Sequence, residues 1–242
     1  MTPTSRRTGL APATALLQGT VAAAVFGVFT ACLALRVFDV PVAAQGILVA
    51  AVALFAAVWF CPVVARSAGM QITTMTAWSV LVPLVVGILT AAFSGFPVSR
   101  FAAPGTAAVL MIGAASMIIT LADRRGWQDT RTRLLLLLAV SATSCLWLGP
   151  AAELAAAEPW IATLIVNLNP VSFLATAADY DYLLATWFYQ RTAFGSLRYE
   201  FWPPAIFVIS CLAIMLFSVI YLTVSNRRDV GRTAPDGWRK NT

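Results

Sequence analysis

The residues able to do polar chemistry are few and they cluster. Glu153, Glu158, Asp179, Asp181 and Glu200 lie in one stretch ahead of the last apolar segment, and Asp179-Tyr180-Asp181-Tyr182 sets two carboxylates two positions apart. Such a pair can hold a cation or divide acid and base roles. Here it has no support. The chain contains no His, the commonest metal ligand and proton shuttle, and no glycine-rich phosphate loop. The acidic pair therefore reads as a solvated turn near a membrane surface. Cys32, Cys61, Cys145 and Cys211 each fall in a separate apolar stretch, which suits packed thiols rather than a disulfide framework or metal site. No catalytic constellation, cofactor or metal is expected.

Two further groups carry information. The string ADRRGWQDTRTR over 122–133 puts Arg124, Arg125, Arg131 and Arg133 on either side of Trp127. That is a compact basic surface able to dock a partner protein or lipid headgroups. The second group is Asn169-Pro170. Proline cannot donate a backbone hydrogen bond and pushes the residue before it out of helical geometry. A helix starting at Pro159 should thus break there, and another should resume at Val171. Trp160, Tyr180, Tyr182, Trp187 and Tyr189 around this break suit interfacial depth. They would hold a helical hairpin over the outer mouth of whatever lies beneath.

What lies beneath is a membrane domain. Of 242 residues, 60% are hydrophobic and only 11% charged, with mean hydropathy +0.82. Soluble domains carry roughly 25% charged residues. The fold class is an all-α polytopic helix bundle forming one domain. Six apolar runs, at 13–35, 42–65, 75–96, 102–122, 134–152 and 205–224, approach the ~20 residues that cross a bilayer. The external segment, 153–204, separates the last two. Pro83 should kink the third span. Gly87, Ala91 and Gly95 form a small-residue stripe that admits another helix, from the same chain or from a second copy in a homodimer.

The basic residues test this layout independently. With six spans, 12 of the 16 share one side, leaving Arg36, Arg100, Arg191 and Arg198 on the other. Basic loops mark the cytoplasmic side of a bacterial-type inner membrane, so both termini should be cytoplasmic. The net charge of +6 is then a topological signal, and nucleic-acid binding is not expected. No ionisable residue falls inside a span, which argues against ion-coupled transporters and pumps.

Six spans with both termini inside, a broken hairpin containing Asn169-Pro170-Val171 before the last span, and a basic end together resemble ABC-2-type exporter permeases. The resemblance implies a permease subunit that works with a separate nucleotide-binding ATPase subunit on a hydrophobic or amphipathic substrate. The chain departs from that pattern in two places: only 1–12 is available for an interface helix before the first span, and 66–71 is a short, acid-free loop between the second and third. The alternative is a non-catalytic scaffold or assembly subunit of a larger membrane complex.

The layout makes a topological prediction. Reporter fusions at Arg131 and at the C-terminus should report one compartment, and fusions at Arg100 and Asp181 the opposite one. A fusion at Asp181 that sides with Arg131 would rule out the six-span arrangement.

Overall fold

The structure, a computed structural model, describes residues 12–38, 40–62, 68–127, 129–144, 158–184 and 198–233. It contains helices and turns, with no strand among the described residues. Four long helices come first: α1 (Pro12–Val37), α2 (Val42–Trp59), α3 (Ala68–Ser94) and α4 (Ala102–Arg124). A shorter α5 (Thr130–Ala142) follows, then the bent pair α6 (Pro159–Asn167) and α7 (Pro170–Ala177), and finally α8 (Pro204–Thr233). Helices α1 to α4 and α8 are each long and apolar enough to cross a membrane.

Helix α4 is the hub of the bundle. It packs against α2, α3, α7 and α8, and 67% of its apolar stretch is buried, against 22% for α1 and 11% for α8. Its composition explains the position. Gly105, Ala107, Ala108, Gly113, Ala114, Ala115 and Ser116 present little bulk on any face, so neighbours can approach from all sides. The large apolar residues left exposed, such as Phe29 on α1 and Phe217 on α8, form the faces that lipid covers.

Aromatic rings seated on glycines lock the helices at fixed heights. The Phe101 ring, buried just before α4, lies between Gly87 of α3 and Gly105 of α4. A Cβ at either glycine would come within 2.5 or 2.6 Å of it. Gly87 is thus spent on packing within the chain. Gly95, the last member of its stripe, takes φ +73° beyond the end of α3 and meets nothing. Trp78, fully buried, packs on Gly19 of α1, and its indole N–H donates to the Ala57 carbonyl of α2 at 3.3 Å. That carbonyl lies in the last turn of α2, where the helix itself supplies no donor. One side chain therefore joins three helices.

The observed helix limits depart from the hydropathy reading in several places. Helix α2 ends at Trp59 rather than 65, and Cys61-Pro62 follows at once. Helix α3 begins at Ala68, seven residues before the expected start, and continues through Pro83. The fifth element starts at Thr130 rather than 134, and α5 ends at Ala142 with Thr143 as its C-cap, ahead of a helical Ser144. Arg131 and Arg133 therefore belong to the first turn of a helix and not to a loop. The remainder of that expected span, with Cys145 and Glu153, lies outside the described residues.

The hairpin also differs from expectation. Helices α6 and α7 meet at 81°, but α7 does not lie over the mouth of the bundle. It packs against α2 and α4, and Phe173, Leu174 and Ala175 belong to the main core. A second, smaller core of Ala162, Val166 and Leu183, flanked by Tyr182, Tyr199 and Phe201, lies around α6. The bend sits beside the start of α8, since Asn167 bonds Trp202 just before α8 and Phe173 stacks on Phe207 in its first turn. By length and composition the bent pair fits either one broken span or a re-entrant loop.

Close packing at glycine gives a contrast of sign. A Cβ at Gly46 of α2 would collide with the Arg100 carbonyl, whereas one at Gly69 of α3 meets nothing within 4 Å. Gly46→Ala should cost about 1–3 kcal/mol through overpacking against backbone, while Gly69→Ala should stabilise by up to ~1 kcal/mol through helix propensity. Unfolding of the purified protein in mixed micelles measures both.

Candidate functional site

Two polar regions stand at opposite ends of the bundle. At the hairpin end, the chain must leave helical geometry twice within an apolar setting, and two buried asparagines make this possible. Asn169 is the N-cap of α7, and its Oδ1 accepts from the Val171 N–H at 2.8 Å. Its Nδ2 donates to the Ala142 carbonyl at the end of α5, 3.1 Å away, and to Ser144 Oγ at 3.5 Å. Asn167 closes α6. Its Nδ2 donates to the carbonyls of Thr163 (2.7 Å) and Glu200 (2.8 Å), and its Oδ1 accepts from the Trp202 N–H at 2.7 Å. Between them the two amides join α5, α6, α7 and the segment leading into α8.

Pro170 takes the first helical position of α7, where its missing N–H is one that no helix would satisfy anyway. The bend is therefore held by the asparagine side chains as well as by the proline ring. Sequence reasoning placed the break in Asn167-Leu168-Asn169-Pro170 on the strength of Asn169-Pro170 and gave Asn167 no role of its own. The available signal was a second amide two positions earlier in the apolar α6.

The carboxylates do not form a pair. Asp179 is exposed in a left-handed turn, φ +51°. Asp181 turns inward. It accepts from the Leu183 N–H at 3.0 Å and from the Tyr199 hydroxyl at 3.0–3.1 Å. Tyr182 shares a hydrogen bond with Ser172 of α7, 2.9 Å long. Among the described residues no group of three or more Asp, Glu, Cys or His is placed to hold a metal. Trp160 is exposed, as an interfacial anchor would be, and Tyr180 and Tyr182 pack partly against the core. Trp187, Tyr189 and Arg191 lie outside the described residues.

At the opposite end, the basic cluster splits into two kinds of residue. Arg124 Nε donates to Gln71 Oε1 of α3 at 2.9 Å. The Arg125 guanidinium lies 4.9 Å from the Tyr221 ring of α8 and 5.7 Å from the Trp127 ring, and its Nε donates to the Tyr221 hydroxyl at 3.3 Å. These two arginines fasten α4 to its neighbours. Arg131 and Arg133 rise instead from the first turn of α5. With Asp123, Trp127 and Asp129, Arg131 lines a cavity of about 520 Å³. Cys61 is buried nearby, and Cys32, Cys61 and Cys211 are all free thiols, as their apolar surroundings suggested.

The two amides should be costly to remove. Asn167→Ala would strand the Glu200 carbonyl and the Trp202 N–H, at about 1–3 kcal/mol for each group left unsatisfied. Pro170→Ala should cost less than 1 kcal/mol, because Asn169 still caps α7. Protease accessibility of the 198–203 segment in vesicles reads the difference: enhanced cleavage in Asn167→Ala, little change in Pro170→Ala.

No protein-family model matches this chain, and neither does any curated protein or solved structure, so what it does rests on the geometry of its own residues.

Proposed function

We propose that the chain is the membrane-embedded permease subunit of an ATP-driven exporter. It would move a hydrophobic or amphipathic substrate across a bacterial-type cytoplasmic membrane, with both termini cytoplasmic. The observation that carries this reading is the helix pair bent by 81° at Leu168-Asn169, with α7 seated in the core beside α2 and α4. A short helix inserted among spans, and held there by neutral hydrogen bonds, is an element that can shift without moving charge through lipid. The long helices support the same reading, because no ionisable side chain lies deep in any of them. The driving energy must then come from outside the chain. The basic end offers Arg131 and Arg133 for docking a separate ATPase.

A second reading, a scaffold subunit of a larger membrane complex, draws on α8. Only 11% of its apolar stretch is buried, leaving a long face for an integral partner.

Purification in native-membrane discs separates the two. The exporter reading expects an ATPase to co-purify, its association to fall in Arg131→Glu/Arg133→Glu while Arg36→Glu leaves it unchanged, and ATP-dependent efflux to disappear on deletion. Co-purification of integral partners alone, with efflux intact on deletion, would favour the scaffold.

A further inference from the structure

Two cavities meet at the basic end, and together they have the shape and chemistry of one molecule. The first is an apolar groove of about 300 Å³ between α1, α2 and α5, walled by Phe26, Phe55, Trp59, Leu135, Leu136 and Ala139. The second is the polar cavity of about 520 Å³ that holds Asp123, Asp129 and Arg131. Thr132 lines both, so the groove opens where the polar cavity begins. We propose that the pair binds one phospholipid bearing an amine and a phosphate in its headgroup, with an acyl chain in the groove and the headgroup in the polar cavity.

The groove is lined by aliphatic and aromatic side chains apart from Thr132 at its mouth, which suits an acyl chain. From Thr132 to Ala139 it follows α5 for about 10 Å at the helical rise, which is the direction an acyl chain takes from the interface into a bilayer. Trp59 in the groove and Trp127 in the polar cavity are both exposed, as indoles at headgroup level are.

The polar cavity selects the headgroup. It carries charges of both signs, with Arg131 close enough to Asp123 for their charges to interact. Asp129 stands before α5 with φ +62° and makes no capping bond to it. The first-turn amides of α5 therefore lack a side-chain acceptor at the position where a phosphate is favoured. Arg131 supplies a charged donor beside them, while Asp123 and Asp129 suit an ammonium. A headgroup with phosphate and no amine would compete with Asp123 for Arg131 and offer Asp129 no cation. The site requires only that the chain lies in a bilayer, so it stands or falls separately from the exporter reading.

The test uses the full chain, delipidated in detergent and offered an equimolar mixture of phosphatidylethanolamine and phosphatidylglycerol, with retained lipid counted by native mass spectrometry. One phosphatidylethanolamine per chain should survive preferentially. Ala139→Trp, which fills the groove, and Arg131→Gln, which removes the phosphate partner, should each weaken retention about tenfold. Asp129→Asn should erase the preference for the amine. Leu137→Trp adds the same bulk on α5 outside the groove and should retain lipid normally, which separates loss of the site from loss of the fold. As a second readout, phosphatidylethanolamine with brominated acyl chains should quench wild-type fluorescence more than that of Trp59→Phe. Retention of phosphatidylglycerol as strong as that of phosphatidylethanolamine would overturn the headgroup assignment. Retention unaffected by both Ala139→Trp and Arg131→Gln, or a dimer that forms through this groove without lipid, would overturn the site.

Discussion

A backbone that stops being helical inside an apolar bundle leaves amides and carbonyls with no water to turn to. The arrangement of this protein depends on meeting that demand at one point. Asn167 and Asn169 stand on either side of Leu168 and are buried almost completely. Between them they satisfy the ends of α5 and α6, the start of α7 and the approach to α8. The remaining geometry follows. Helix α5 can end at Ala142 because the carbonyl of that residue meets a donor from the hairpin. Helix α7 can sink its Phe173 face against Phe207, 4.8 Å between rings, because its N-terminus is already capped.

The bundle around that point is held by shape rather than by ionic contacts. Small residues make α4 a core that its neighbours can approach closely, and the bulk missing there is supplied by Phe101 and Met215 beside Gly105 and Gly113, as Trp78 supplies it beside Gly19 of α1. In lipid the hydrophobic effect does not draw helices together, so packing of this kind carries the association. The opposite end uses cations for the same purpose. Arg124 on Gln71 and Arg125 on Tyr221 tie α4 to α3 and α8, where the spans emerge and charge is tolerated.

Much of this was legible in the sequence, and what was not has physical causes. Long uncharged runs announce spans because lipid excludes charge. The ends of those runs do not announce helix ends. Helix α3 extends back to Ala68 because Thr73, Thr74 and Thr76 return their hydroxyls to carbonyls four residues earlier, and because Gln71 meets Arg124. Gly69, Gln71, Thr73 and Thr74 dilute the apolar signal of that stretch without ending the helix. Helix α5 begins among arginines for a related reason, since long basic side chains reach the interface from a first turn as easily as from a loop. The proline break was legible because Pro170 constrains its own local backbone. The depth of the hairpin depended on tertiary contacts, and its one local sign was the apolar run Phe173-Leu174-Ala175 beyond the break.

Neutral and charged interactions are divided between the two ends, and this division bears on how they respond to their surroundings. The hydrogen bonds that hold the bend at the hairpin end join amides, hydroxyls and backbone groups, none of which carries a charge. Its geometry is also buried away from counterions. The basic end presents Arg131 and Arg133 at an interface, where charges separated by more than about 8–10 Å are screened at physiological salt. Helix α5 joins the two ends. Its first turn carries Arg131 at the basic cavity, and the carbonyl of Ala142 at its other end accepts from Asn169 of the hairpin.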